Sequence, residues 1–359
     1  MTAVNPAAAP AGDRAAATPP ALRLTWARAL AREDGEQYDA FVSSAASGHY
    51  AQARFFAPVA RAGRPFASSF VLLRDGDGRV AGAAHVLRAT VAGLPLPYAI
   101  VERGPVVKDA ALLGPILTAV ARAARRRGSA RLLVMPYWTE PVGAPAPARA
   151  ALRALGWTCV QAPASAHANT LRVRVAGKAE ADIFAGGANL HLRQKIKLAQ
   201  REGATARRGT AADLPVLARL HDALMARQGK RGKPPRFYAA LAALDLGGGP
   251  GENAGRGDAG LFLTEHGGRP IAAVLAVRHG ALVTYAMGAT IDEPCRFSKT
   301  VPAVVAAIRW ARDAGCDFDL GGVPTPGDTD PKRLAIAQFK REFARTEIPL
   351  CGQHARWLV

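Results

Sequence analysis

Residues 316–343 read CDFDLGGVPTPGDTDPKRLAIAQFKREF, and the order of residue types in this stretch decides how the chain folds. Phe318 and Leu320 alternate with Asp317 and Asp319, the period of a half-buried strand that stops at Gly321 and Gly322. A glycine pair at a strand end lets backbone approach something closely. After a polar loop, Leu334, Ile336, Ala337 and Phe343 predict a short amphipathic helix with Phe339 buried and Lys340 at the edge of its apolar face. A lysine so placed is either aimed inward as a working cation or snorkels out of a packed helix.

Working outward, the strand is preceded by a helix over Thr300–Ala314 that closes at Gly315, and by a hairpin with Phe262 and Leu263 on one arm, a turn at Gly267-Gly268 and Ile271–Val277 on the other. The first half has the same order. Phe70–Leu73, the turn Asp75-Gly76-Asp77-Gly78 and Val80–Leu87 predict a hairpin. A strand over Leu94–Val101, a helix from Ala110 to Arg127 closing at Gly128 and a strand over Leu132–Met135 follow. Pro115 and Gly128 stand at the same separation as Pro302 and Gly315, so hairpin, strand, helix and strand occur twice. We therefore expect an α/β chain with a first domain over 22–177, in which Leu171–Val175 is the last strand, and a second domain over 178–359. Residues 1–21, rich in Ala and Pro, read as a disordered tail rather than a leader. The first domain opens with polar helix signals after Leu22, and SGHYAQARFFAPVARAG places Gln52 and Phe56 on a helix.

The arrangement strand, Asp, Gly-Gly, loop, Phe-Lys-x-x-Phe resembles the closing motif of the Fem family, aminoacyltransferases that move an amino acid from charged tRNA onto a peptidoglycan precursor. That family usually has Phe-Gly where this chain has Phe343 and Ala344. The resemblance implies two tandem acetyltransferase-like (GNAT-type) domains, each a mixed twisted sheet flanked by helices, around a shared cleft. It implies that Lys340, with Phe339 beside it, sits near the reacting ester. It also aligns Asp109 with a carboxylate of some Fem proteins, a candidate for receiving the acceptor amine's proton. From its own surroundings Asp109 is equally a helix N-cap, and Asp319 equally a satisfied polar group. The Fem lysine that follows a Gln in the first domain falls here near Ala60 and Arg61, so that contact is not carried over.

Between the copies lies ANLHLRQKIKLAQREGA, where Leu192, Ile196 and Ala199 make an apolar stripe and Arg193, Lys197 and Arg201 recur every four residues on another side. A basic face of this kind is a solvated surface or a hold on RNA phosphate. The resemblance to the helix opening the second Fem domain favours the latter. Farther on, Arg227, Lys230, Arg231 and Lys233 occupy a glycine-containing loop between two helices. Arg227 matches the Fem arginine near the precursor's phosphates, with Arg231, Lys233 and Tyr238 as neighbours in acceptor binding. Gln228 stands where the family often has aspartate.

Composition narrows the rest. Lys and Arg outnumber Asp and Glu by 47 to 28, a net charge of +19 that calls for an anionic partner such as RNA, a phosphorylated substrate or an anionic membrane face. The four cysteines are scattered and the histidines show no ligand spacing, so no metal is expected and the reading is cytoplasmic, with peripheral contact at the inner membrane face. An acyl-CoA donor is the main rival to tRNA. GNAT domains hold CoA pyrophosphate on a glycine-rich loop at a helix N-terminus, whereas Arg296-Phe297-Ser298-Lys299-Thr300-Val301 puts Lys299 at a glycine position. Charged tRNA as co-substrate, a muropeptide or other amine acceptor, and no bound cofactor are the expectations. A noncatalytic RNA- or envelope-binding protein is the third reading.

Overall fold

The computed structural model describes residues 22–138, 145–160, 168–185, 190–246, 258–324 and 327–358; the expected tail over 1–21 lies outside them. The first half begins with a strand, β1 (Arg23–Ala27), where helix signals were read, and continues with α1 (Arg32–Ser44) and α2 (Ala57–Ala62). Gln52 and Phe56 lie on short 3₁₀ turns just before α2 rather than on a continuous helix. The hairpin β2 (Phe66–Arg74) and β3 (Val80–Val91) follows, then β4 (Leu94–Val101), the short β5 (Val106–Val107), α3 (Leu113–Arg126), β6 (Arg131–Val134), α4 (Pro145–Ala154) and β7 (Thr158–Cys159). The turn between β2 and β3 is set by Asp75, whose carboxylate accepts from the backbone N–H of Asp77 and Arg79 while Gly78 takes φ +79°.

The second half comprises β8 (Asn169–Val173), α5 (Leu190–Arg201), β9 (Thr205–Gly209), α6 (Leu214–Ala226), α7 (Pro235–Ala242), the hairpin β10 (Ala259–His266) and β11 (Arg269–His279), and β12 (Leu282–Thr290). It is completed by α8 (Val301–Asp313), β13 (Asp317–Val323), α9 (Pro331–Arg341), β14 (Glu347–Pro349) and β15 (His354–Trp357). α3 and α8 each lay an apolar stripe on their sheet, Ile116, Leu117, Val120 and Ala124 on one, Val304, Ala307, Ile308 and Ala311 on the other, and both helices end before a glycine of positive φ.

The two sheets have one strand order. The first runs β1-β2-β3-β4-β6-β15-β7 and the second β9-β10-β11-β12-β13-β8-β14. β4 and β6 are parallel, as are β12 and β13; the next strand, β15 or β8, is antiparallel in each. The duplication read from hairpin and helix spacing is thus a duplication of topology. The sheets nonetheless exchange strands across the expected boundary at Gly177. Leu171–Val173, expected to close the first domain, is hydrogen-bonded between β13 and β14 in the second sheet, and β15 is inserted between β6 and β7 in the first. The alternation of apolar residues along Asn169–Val173 demands a buried face but does not say whose.

The copies differ at one seam. β4 and β6 stay paired from Tyr98↔Arg131 to Val101↔Val134, whereas β12 and β13 pair only over Leu282–Thr284 with Asp317–Asp319 and then part. Beyond that point Tyr285–Gly288 and Gly321-Gly322 form two walls of an opening.

Candidate active site

Asp319 is the pin of this opening. The sequence puts it on the polar face of its strand, yet it is 1% exposed. Its Oδ1 accepts from Thr170 Oγ1 at 2.5 Å and from the Gly321 N–H at 2.6 Å, and its Oδ2 from the Tyr137 hydroxyl. Three donors compensate a buried carboxylate that would otherwise be costly. Gly321 takes φ +76° at the bulge this creates, and a Cβ there would lie 3.7 Å from Lys340 Nζ. Lys340 reaches in from α9 and donates to the Gly322 carbonyl oxygen at 2.7 Å. Burial lowers its ammonium pKa to about 8, with Asp319 opposing the shift and Arg103 adding to it. The lysine is aimed inward. Phe339 is half-buried against Phe343 at a centroid distance of 5.3 Å, and Ala337 is buried as expected, but Leu334 and Ile336 are 41% and 46% exposed. Ala337 is the buried residue of α9, and Leu334 and Ile336 stand on sides of the helix left open among the described residues.

The opposite wall comes from the first domain. Gln52 is fully buried; its Oε1 accepts the His85 N–H at 2.7 Å and its Nε2 donates to the Glu102 carbonyl oxygen at 2.5 Å. A Cβ on Gly104 would lie 2.5 Å from the Gln52 amide carbon, so only glycine allows this close approach. The clamp holds Arg103 at φ +58°, a backbone region L-residues rarely adopt, with its guanidinium 5.5 Å above the Tyr137 ring. Tyr137 therefore touches Arg103 from one domain and Asp319 from the other.

These walls enclose a cleft of about 430 Å³. Arg103, Lys233 and Lys340 line it as cations, Glu102 as an anion, and His49 and His221 as imidazoles. The cleft continues into a second pocket of about 140 Å³ that shares Glu102 and Lys233 and adds Arg64 with Phe56, Val59, Phe237 and Leu275. Lys233 sits with its ammonium 5.4 Å above the Phe237 ring, and burial, with Arg64 nearby, lowers its pKa. The arrangement gathers three cations around one carboxylate and sets the Lys340 ammonium beside two backbone walls.

Of the residues expected from sequence, Lys340 lines the cleft, whereas Phe339 packs against Phe343 and the core of the second sheet behind it. Asp109 does not line the cleft: it is exposed, and its Oδ1 accepts from the Ala111 N–H at 2.8 Å, so it caps the short turn that leads into α3. Arg227 lies on the surface at the end of α6, donating to the Thr290 carbonyl oxygen at 3.0 Å and facing Asp292 at 3.3 Å. Arg231 is exposed in the same loop, and of that loop only Lys233 reaches the cleft. Tyr238 is a core residue whose hydroxyl lies 3.2 Å from His221 Nδ1, one layer behind the cleft. On α5, Leu192 and Ala199 are buried as expected, and Lys197 and Arg201 are exposed beside a shallow surface hollow, with Arg193 half-buried. Arg103, Glu102 and His221 were not picked out from sequence; the dipeptide Gly104-Pro105 was the only local signal for the first two, and His221 had none.

The N-terminus of α8 bears on the donor. Val301 N–H is taken by the Ser298 carbonyl at 3.2 Å, Pro302 has none, Ala303 N–H is taken by Thr264 Oγ1 at 3.2 Å, and Val304 N–H by the Thr300 carbonyl at 3.0 Å. Lys299 Nζ turns back to the carbonyl oxygens of Ile291 and Glu293 at 2.8 and 2.6 Å. A helix start normally offers unpaired N–H groups to an anion. Here Val301 and Ala303 are taken and Pro302 has no N–H, which leaves only the Thr300 N–H without a hydrogen bond among the described residues.

Residues 189–341 match the family model of the acetyltransferase (GNAT) domain. No curated protein sequence matches the chain. Among solved structures, the fold is similar to the crystal structure of FemX, with TM-score 0.71 and 18% identity over 90% of this chain and 96% of that one. A tandem GNAT protein from the clavulanic acid biosynthesis pathway gives TM-score 0.55 at 14% identity, covering 94% and 99% of the two chains. L-PGS from Bacillus licheniformis gives 0.54 at 12% identity, covering 85% and 90%. The domain match supports a transferase, and the structural likenesses show the tandem GNAT fold that the Fem resemblance implied. Among the described residues no helix is long and apolar enough to cross a membrane.

Proposed function

We propose that the chain is an aminoacyltransferase that takes an amino acid from aminoacyl-tRNA and forms an amide bond on an amine acceptor, a nucleotide- or lipid-linked peptidoglycan precursor, in the cleft around Lys340. The observation that carries this reading is the pairing of an inward lysine in a cationic cleft with an α8 start at which the Val301 and Ala303 N–H groups are already taken and Pro302 has none. The CoA pyrophosphate of an ordinary GNAT donor needs those N–H groups, so the residues present do not fit it. At the corresponding place in the first copy stands Asp109, whose charge would repel a pyrophosphate. An RNA ester has no such requirement, because its phosphates can lie on exposed basic surface.

In this reading the acceptor amine attacks the ester carbonyl, and the carbonyl oxygen gains negative charge. Lys340, held by one hydrogen bond to Gly322, keeps other ammonium hydrogens for that oxygen in a water-poor site. Arg103 and Lys233 face the anionic end of the acceptor. Lys197 and Arg201, exposed along one side of α5, contact tRNA phosphate or, for a lipid-linked acceptor at the inner membrane face, anionic headgroups.

The test is titration of the purified protein with mixed charged tRNA and, separately, with acetyl-CoA. Expected are tRNA binding that weakens steeply with salt, negligible CoA binding, and loss of the aminoacyl ester when an amine acceptor is added. Stoichiometric CoA binding without deacylation of tRNA would replace this reading with an acyl-CoA-dependent N-acyltransferase. RNA binding with no transfer from either donor would leave a binding protein.

A further inference from the structure

We infer that His221 takes the proton from the attacking amine, with Tyr238 as the residue that positions it. The inference rests on the acyl-transfer reading of the cleft but not on which donor or acceptor is used. Amide formation from an amine and an ester needs a base, and a base must be uncharged or anionic, unengaged and within the cleft. Asp109 is outside it, capping a turn. Asp319 spends its carboxylate on Tyr137, Thr170 and Gly321. Glu102 receives the Arg64 guanidinium at 3.2 Å. His49 Nδ1 accepts the Ala51 N–H at 3.1 Å, which leaves a proton on its Nε2 and makes that edge a donor.

His221 differs from all of these. It projects from α6 into the cleft wall at 6% exposure, and its Nδ1 meets the Tyr238 hydroxyl at 3.2 Å on the core side. Tyr238 is packed in the core with Leu217, Leu241 and Phe237, so the imidazole is fixed by a rigid partner. Nε2, at the other edge of the ring, makes no hydrogen bond among the described residues. The contact has two tautomers, and the base is the one in which Nδ1–H is donated to the Tyr238 oxygen, so that Nε2 presents a lone pair. The charged and titratable groups around it are Tyr238 on α7, Lys233 on the intervening loop, Asp222 on its own helix, and His49, Tyr50, Glu102, Arg103, Tyr285 and Lys340 around the cleft. Burial, then Lys233, hold the imidazole below its ordinary pKa, Asp222 opposing, so it is neutral at pH 7.

The step balances without a further reactant. The amine nitrogen bonds to the ester carbon, and its proton goes to Nε2. As the tetrahedral adduct collapses, the carbon–oxygen bond to the ribose breaks and that oxygen takes the proton back from Nε2. The products are the amide and a tRNA with a free hydroxyl, and His221 is again neutral.

The experiment is single-turnover deacylation of charged tRNA by the wild type with a UDP-linked muramyl pentapeptide as acceptor, followed across pH, beside His221→Gln and Tyr238→Phe. The wild-type rate is expected to fall as pH drops through the imidazole pKa, His221→Gln to lose about 10²-fold or more in kcat together with that acidic limb, and Tyr238→Phe to lower kcat with KM unchanged and to move the limb. Addition of free imidazole to His221→Ala should restore part of the rate. An unaltered rate and acidic limb in His221→Gln would overturn the proposal while leaving the transferase reading intact. If the wild type itself transfers nothing, that reading fails and histidine nitrogen-15 spectra decide the rest: an Nδ1–H tautomer at His221 is the expected result, and an Nε2–H tautomer overturns it.

Discussion

Replacing Lys340 with Met should separate stability from turnover, because the structure gives opposite signs for the two. The folded site lowers the ammonium pKa from 10.5 to about 8. At about 1.4 kcal/mol per pKa unit, keeping the charge there at pH 7 disfavours folding by about 3 kcal/mol. Met removes this term but leaves the Gly322 carbonyl without its donor, which costs about 1–3 kcal/mol. The net change is within about 2 kcal/mol, a shift in Tm of a few degrees at most for a chain of this size. Turnover has no such offset: loss of a donor to a developing oxyanion costs about 10²–10³-fold. The charge also leaves a mark in pH. The folded amine releases its proton near pH 8 and the unfolded one near 10.5, so the unfolded chain binds more protons in that window and wild-type stability climbs across it. Urea unfolding from pH 7 to 10.5 should show the climb in the wild type and its absence from Lys340→Met. Wild-type deacylation rates in the variant, or the same pH climb, would refute the inward, charge-bearing lysine.

Gln52→Ala leaves the His85 N–H and the Glu102 carbonyl without partners and frees the Arg103 backbone; a loss of about 2–5 kcal/mol in urea unfolding is expected, and a loss below about 1 kcal/mol would mean the clamp is slack. Lys197→Glu with Arg201→Glu should lower the slope of log affinity for tRNA against log salt by about 1–2, measured by filter binding; an unchanged slope would move the RNA contact elsewhere. Arg227→Ala exchanges one surface ion pair and should alter stability by less than about 1 kcal/mol, while weakening UDP-linked acceptor binding in calorimetry, more so at low salt. Unchanged acceptor affinity would leave that loop a solvated turn.

The repeat was legible because its marks are local. Hairpin turns need glycine at positive φ, helices end at glycine, and Gly78, Gly128, Gly268 and Gly315 all carry positive φ where the spacing put them. Lys340 was legible through its motif. What the sequence could not show is which side chains different segments bring together. The resemblance made Lys233 a neighbour of Arg227 in acceptor binding, but only the fold put it over Phe237 and apart from Arg227, and nothing in the sequence set His221 apart before Tyr238 came to lie behind it. Asp319, equally a satisfied polar group on sequence grounds, is one in the fold, but two of its three donors, Tyr137 and Thr170, come from distant segments that the sequence does not bring together. Leu334 and Ile336 misled for the converse reason: apolar residues at helical spacing imply a buried face only where something covers it.

The strand exchange between the sheets also governs the order in which this molecule can be completed during synthesis. β6 is made early, but its outer neighbour β15 is hydrogen-bonded to it at residues 354–357, and β7 joins the sheet only through β15. At roughly 5–20 residues per second, the ribosome needs on the order of ten to forty-five seconds between Val134 and Trp357. For that time the first sheet carries an open edge next to a buried core, the condition under which nascent chains pair wrongly or require a chaperone. β8 emerges before any of the sheet that will receive it and must wait for β13. The first domain therefore reaches its final form only after the second has been translated, and neither half is a sound unit to express alone.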